Sequence, residues 1–376
     1  MSSSTAPSGL SSPTGTAPLS LCAREPHVPA DRLVAEMVPP PRFDAVRFAT
    51  YLPDPKQPSQ AEAVRVLEDF AAGLGDASPA GSARRGFLGF GRGRGNGRRR
   101  AAKGGGSSGP RGIYLDGGYG VGKTHLLASL WHATDAEPSR KAFGTFVELT
   151  NLVGALGFQK TVETLSGHRL LCIDEFELDD PGDTVLVSTL LGRLVDEGVA
   201  LAATSNTLPG KLGEGRFAAA DFLREIQGLA AHFRTLRIDG EDYRHRGLPE
   251  APAPYSDEQV TAAAHATANV SLDDFSQLLE HLARVHPSRY GALTDGVAAV
   301  CLTGVRPVPD QSTALRLVVL ADRLYDREVP VLASGLPFDR LFSEEMLKGG
   351  YRKKYFRAIS RLTALARDAK GLVEAD

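Results

Sequence analysis

Apolar positions along this chain recur in two rhythms, and the alternation between them predicts the architecture. Between 59 and 74 they fall at helical spacing (Ala63, Val66, Leu67, Phe70, Leu74), behind a Ser59/Glu62 pair that reads as a capping box. Ile113, Tyr114 and Leu115 then form a short apolar run that ends at Asp116, and a glycine-rich turn leads into a helix expected over 122–134. A strand is expected over 143–149, where Thr145, Val147 and Leu149 alternate with Phe146 and Glu148, with a helix from Leu152. The stretch 168–175, H-R-L-L-C-I-D-E, is a continuous apolar strand closing in two acids, as strands buried on both faces read. A helix over 183–197 (Val187, Leu190, Leu191, Leu194, Val195) and a strand over 199–203 follow. Strands alternating with helices predict a doubly wound α/β fold with its site at the carboxyl ends of a parallel sheet.

From about Tyr255 the pattern changes to a smaller mixed unit. It holds helices over 260–268 and 271–285, shorter elements at 297–303, 315–325 and 330–333, and a last helix over 351–369. Five segments result: a disordered start (1–28), a helical arm (29–74), a flexible Arg/Gly-rich insertion (75–110), a core (111–250) and a C-terminal α/β and helical lid region (251–376). A length of 376 residues suits two or three domains.

Candidate chemistry begins in the glycine turn. Gly117 to Thr124 (Gly117, Gly118, Tyr119, Gly120, Val121, Gly122, Lys123, Thr124) spells G-x-x-x-x-G-K-T between an expected strand and an expected helix, the context a phosphate-cradling P-loop requires. Glycines let backbone N–H groups face a phosphate, and the helix start adds partial positive charge. Lys123 is placed to reach β- and γ-phosphates, and Thr124 to put its hydroxyl on Mg²⁺. About 50 residues later, Asp174 is a second metal ligand and Glu175 the group that polarises an attacking water. Two adjacent acids on a buried strand are costly without a metal and a wet cleft. Asn206, after the next strand, is expected to orient the same water.

Arg216, Arg224 and Arg234 flank a helix expected over 217–232, and in oligomeric ATPases one such arginine neutralises transition-state charge in a neighbour's site. Arg357 and Arg361 are four apart on the last helix, where one is expected to reach the γ-phosphate from a lid. His125 has no partner pattern that suggests catalysis.

Composition narrows the partners. With 42% hydrophobic and 23% charged residues and net charge −2, the chain as a whole is not built for nucleic acid or a membrane surface. No apolar run is long enough to span a bilayer, and the Ser/Thr/Pro/Gly-rich start does not read as a secretory signal. Three scattered cysteines form no disulfide framework or metal spacing, which suits a reducing cytosol. The Arg/Gly-rich insertion carries no acid after Asp76 and interleaves Phe87 and Phe90 with arginine. It reads as a solvated linker or as a contact for an anionic partner.

Taken together, R-G-I-Y-L-D-G-G-Y-G-V-G-K-T, L-L-C-I-D-E-F-E-L-D-D-P-G-D, A-T-S-N-T-L-P, I-D-G-E-D-Y-R-H-R, L-Y-D-R-E-V-P-V and Y-F-R-A-I-S-R-L resemble an AAA+ ATPase. More narrowly they resemble the ZapE cell-division ATPase family and its mitochondrial AFG-type relatives, over about residues 30–370. The resemblance implies a P-loop AAA+ core with a parallel sheet flanked by helices and a C-terminal lid. It also implies ATP hydrolysis with Mg²⁺, homo-oligomers, a cytoplasmic location, and association with an FtsZ-like division-ring protein at midcell during late constriction. Relatives usually carry an arginine where Asp221 precedes Phe222-Leu223, so Arg216 and Arg224 stand as the finger candidates. The alternative is a DNA-replication helicase-loader or initiator ATPase, whose P-loops often continue G-K-T-H-L as this one does.

Overall fold

The computed structural model describes residues 17–76, 112–118, 120–178, 181–212, 219–240 and 251–373. Tyr119, Arg216, nearly all of the Arg/Gly-rich insertion and most of the I-D-G-E-D-Y-R-H-R stretch lie outside the described residues. The described chain divides into two compact units. One takes residues 34–39 and 45–240, and the other takes 17–33, 40–44 and 251–373.

In chain order the elements begin with a short helix α1 (Ala30–Ala35). The first unit then runs α2 (Pro58–Asp76), β1 (Gly112–Gly117), α3 (Lys123–Ala133), β2 (Lys141–Thr145), α4 (Phe146–Leu156), α5 (Phe158–Leu165) and β3 (Leu170–Asp174). It closes with α6 (Pro181–Asp196), β4 (Ala200–Ser205), α7 (Leu223–Ala230) and β5 (Phe233–Ile238). Its five strands pair in the order β2-β3-β4-β1-β5, all parallel. The strands β1, β3 and β4 are buried along their whole length, which is why they read as unbroken apolar runs. At the edge, β5 mixes buried positions with exposed ones. This is the expected α/β fold of a P-loop AAA+ core. The chain leaves β1 for the far edge at β2, steps back through β3 and β4, and places β5 beyond β1. The carboxyl ends of β1, β4 and β3 therefore share the crevice where such sheets hold ligands.

The second unit contains α8 (Asp257–Ala266), β6 (Val270–Asp274), α9 (Phe275–Arg284), α10 (Tyr290–Leu293), β7 (Ala299–Val305), α11 (Gln311–Asp326), β8 (Val331–Gly335), α12 (Glu344–Lys348) and α13 (Arg352–Asp368). Its three strands are parallel in the order β6-β7-β8. One face packs on α8 through Val260, Ala264, Cys301 and Leu332. The other packs on α9, α11 and α13 through Leu278, Leu317, Leu324 and Ile359.

Four expectations are corrected. The strand expected at 143–149 ends at Thr145, and α4 begins at Phe146. Thr145 accepts the Glu148 N–H (3.2 Å) while Glu148 Oε2 accepts the Thr145 N–H (2.6 Å), a reciprocal cap that starts a helix inside the apparent alternation. The helix expected from Ser271 begins at Phe275, because the cap is Asp274, which accepts from the Ser276 and Gln277 N–H groups. The helix expected at 217–232 is shorter, with a 3₁₀ turn at Ala219–Phe222 ahead of α7. Ser59 caps nothing locally: α2 starts at Pro58, and the Ser59 hydroxyl accepts the Asp239 N–H at 2.9 Å.

The start of the chain also differs from expectation. Residues 17–24 fall in the stretch read as disordered, yet Leu19 bridges to Ser271 in parallel, exchanging backbone bonds with Val270 and Leu272. Buried Asp273 accepts from Ser20 Oγ (2.6 Å), Leu21 N (3.0 Å) and Cys22 N (3.2 Å). Leu21 is fully buried in the α9/α11 core, a burial worth about 1.5–3 kcal/mol. Burial, then the charge of Asp273, pushes the Cys22 thiol up to about 12, so it is no reactive thiolate.

Candidate active site

Strand order brings three motifs together. The P-loop leaves the end of β1, the two acids close β3, and Asn206 follows β4, which lies between β1 and β3. Gly117 ends β1 so close to β5 that a Cβ there would meet Ile238 O at 2.5 Å. Gly120 (φ 79°) and Gly122 (φ 82°) take left-handed conformations, and Gly122 precedes the first residue of α3. The turn they build carries its backbone N–H groups into a helix start, the makings of an anion nest.

Several of these side chains converge. Lys123 Nζ donates to Gly117 O (2.8 Å), Gly118 O (2.5 Å) and Asn206 Oδ1 (2.7 Å). Thr124 Oγ1 donates to the two Asp174 carboxylate oxygens at 3.2 and 3.0 Å. Glu175 sits at φ 53°, one of three non-glycine residues at positive φ among those described. Such a conformation costs of order 1–3 kcal/mol and persists where the surroundings over-determine it. Phe176, fully buried, is part of that determination. Its ring meets Phe146 (5.2 Å between centroids) and Tyr114 (6.3 Å) edge-on, and its N–H donates to Thr204 O at 2.7 Å.

Several residues the sequence did not single out support this arrangement. Tyr51 donates its hydroxyl to Val121 O at 2.7 Å, and a Cβ on Gly122 would sit 2.5 Å from its ring. Burial pushes the Tyr51 hydroxyl up to about 12, so it remains a donor at neutral pH. Next to it, Thr50 Oγ1 lies 3.0 Å from His125 Nε2, so His125 holds the arm to the P-loop helix. Tyr51→Phe will destabilise the first unit by about 1 kcal/mol, readable in urea denaturation. Asp116, buried before the first P-loop glycine, pairs at 2.5 Å with Arg237, its register partner on β5. Tyr114 donates its hydroxyl to Thr207 O (2.7 Å), fixing the turn that bears Asn206. Thr204 donates to Asp174 Oδ1 (2.5 Å) and accepts the Glu175 N–H (3.0 Å).

The candidate arginines of the first unit that are described lie at its surface. Arg224 is exposed on the first turn of α7, and Arg234 is exposed on β5. Arg357 and Arg361 lie on α13 in the second unit, where both pair with Asp322 of α11 at 2.7 and 2.5 Å. The Tyr325 ring stacks under Arg361 (5.1 Å) and Arg42 (4.0 Å).

Residues 28–268 and 256–370 match the family described as AFG1-like ATPase, which is most of the chain. The chain belongs to the AFG1-like ATPase family. It is accordingly an ATPase, and the P-loop, Asp174, Glu175 and Asn206 lie within the matched span. The curated relatives include Cell division protein ZapE of Escherichia coli (strain K12), 28% identical over 295 residues that make up 67% of this chain and 77% of that one. A second, Uncharacterized protein C115.02c of Schizosaccharomyces pombe, is 29% identical over 150 residues, 36% of this chain and 33% of that one. Among solved structures the DnaC helicase loader covers 53% of this AFG1-like chain and 99% of its own, at 17% identity and a TM-score of 0.33. At that TM-score the likeness says nothing about activity. Among the described residues of this AFG1-like ATPase, no helix is long and apolar enough to cross a membrane.

Proposed function

We propose that this AFG1-like ATPase binds ATP with Mg²⁺ at the ends of β1, β4 and β3, hydrolyses it there, and uses the cycle in cell division. The observation that supports this best is the meeting of P-loop, β4 turn and β3 acids through Lys123–Asn206 (2.7 Å) and Thr124–Asp174 (3.0 Å). The donor set fits the metal. Thr124 and Asp174 offer hard oxygen ligands only, and no cluster of three or more His, Cys, Asp or Glu exists among the described residues. Mg²⁺ is commonly held in this way, by one or two protein oxygens together with substrate phosphates and water. When bound, the ion supplies charge neutralisation at the β- and γ-phosphates.

The chain's own residues do the rest. The N–H groups of the P-loop turn and the start of α3 cradle the phosphates, with Gly117, Gly118, Tyr119, Gly120, Val121 and Gly122 forming the wall. On ATP binding Lys123 exchanges its present acceptors for phosphate oxygens. Glu175 takes a proton from the attacking water, and Asn206, released from Lys123, orients that water. Arg224 or Arg216 supplies positive charge to a neighbouring copy in a homo-oligomer; for Arg361 a role at the phosphates rests on the family resemblance.

The similarity to a cell-division protein of E. coli supports the role in division; work in the cytoplasm on an FtsZ-like ring at midcell is what the family resemblance implies. The Arg/Gly-rich insertion is then the candidate contact for an anionic partner. The test of the site is steady-state ATP hydrolysis by the purified full chain. Lys123→Ala will lower the rate at least about tenfold, because the P-loop lysine supplies phosphate charge directly. An unchanged rate in that variant would remove the site from the mechanism. A tagged protein that stays diffuse through division would count against the ring role.

A further inference from the structure

One buried hydroxyl is bonded both to the Asp174 carboxylate and to the backbone of Glu175. Thr204 is 1% exposed near the end of β4. The β3–β4 ladder pairs residues as far as Ile173 with Ala203 and stops. Beyond that point two successive N–H groups of the departing chain, those of Glu175 and Phe176, both reach Thr204, one at its hydroxyl oxygen (3.0 Å) and one at its carbonyl (2.7 Å). In an extended strand, successive N–H groups point to opposite sides. Both can reach one residue here because the chain reverses at Glu175, whose φ is 53°. The same reversal breaks the rule that neighbouring side chains on a strand point to opposite faces.

The single proton of the Thr204 hydroxyl is committed in the other direction, to Asp174 Oδ1 at 2.5 Å. Asp174 thus receives two hydroxyl donors, Thr124 from the P-loop helix and Thr204 from β4. Thr124 would give up its contact with Asp174 to serve as a ligand of a bound cation. The Thr204 contact lies on the β4 side and is not needed as a metal ligand.

We propose that Thr204 is a positioning residue of the hydrolytic site: its hydroxyl sets the orientation of Asp174 and locks the backbone at Glu175. This rests on the ATPase site proposed above. Valine matches threonine in shape but has no hydroxyl, so Thr204→Val removes both bonds without opening a cavity. Thr204→Ser keeps the hydroxyl and loses only a methyl. A residue that merely fills the β4 end would tolerate valine at least as well as serine; a positioning hydroxyl demands the opposite order.

The experiment measures kcat and KM for Mg²⁺-dependent ATP hydrolysis by the full chain, together with the Kd for a fluorescent ATP analogue. Wild type, Thr204→Val, Thr204→Ser and Lys123→Ala are compared, and thermal melts establish that each is folded. Thr204→Val is expected to lower kcat about tenfold with Kd within about threefold of wild type, and Thr204→Ser to stay within about threefold in both. If the valine protein melts below the assay temperature, Thr204→Cys, similar in size with a weak hydrogen-bonding group, takes its place with the same expected loss. Wild-type kcat in Thr204→Val, or a serine variant as slow as the valine one, overturns the role of Thr204 while the ATPase site stands. A rate that survives Lys123→Ala overturns the site itself, and this inference with it.

Discussion

Replacing Glu175 with glutamine will cut ATP turnover about a hundredfold or more while leaving ATP binding within about threefold of wild type, the scale set by loss of a general base. The substitution keeps size and shape and removes only the ability to take a proton. The contacts described for Lys123 and Thr124 run to Gly117, Gly118, Asn206 and Asp174, and glutamine at 175 leaves each of them in place. The backbone N–H of Glu175 keeps its bond to Thr204, and Phe176 keeps its place in the aromatic cluster, so the turn at φ 53° persists. Single-turnover hydrolysis separates the two quantities. Should the glutamine protein turn over ATP at the wild-type rate, the proton acceptor lies elsewhere, and Asp174 would be the next residue to test.

The largest expected stability effect lies in the second unit. Asp322→Ala will destabilise that unit by about 3–5 kcal/mol, the usual result of removing one partner from a buried charge group. The Asp322 side chain is 19% exposed, and it pairs with Arg357 (24% exposed) and Arg361 (20%). Burial alone would push its carboxyl up, but the two guanidiniums outweigh burial and hold it below the usual carboxylate range. A carboxyl lowered by folding stabilises fully above its unfolded pKa, near pH 4, and that contribution is lost as pH falls through the folded value. Hydrogen exchange of amides in β7, α11 and α13 reads both effects. A loss under about 1 kcal/mol in the alanine protein, or an acid limb identical to wild type, would mean that α11 and α13 are held by their apolar contacts alone.

The parts of the site legible in sequence are those written in short, ordered motifs. G-x-x-x-x-G-K-T and the apolar run closing in Asp174-Glu175 declare themselves because their chemistry depends on neighbours in sequence. The supporting residues depend on strand order instead. Thr204 reads only as the residue after the strand expected over 199–203 until β3 is known to lie beside β4. Asp116 and Arg237 are 121 positions apart and become partners through parallel register. Tyr51 precedes the P-loop by about 70 residues and meets it only through the docked arm. Elsewhere two local signals compete in the same stretch. Thr145 and Glu148 are a capping box in plain sequence, yet a five-residue alternation around them also reads as strand. Asp274 and Ser271 are both acceptable caps, and which one starts the helix is decided by the pairing of β6 with β7.

The pairing of Leu19 with Ser271 has a consequence for synthesis. A ribosome releases this segment early, but its partner strand emerges some 250 residues later. At about 5–20 residues per second, that is a wait of roughly ten to fifty seconds. Throughout it Leu21, destined for a fully buried position, stays in water or in the grip of a chaperone. The unit with the P-loop has all of its strands by Ile238 and can fold while the rest is still being made. The other unit closes only when segments some 250 residues apart in the chain meet.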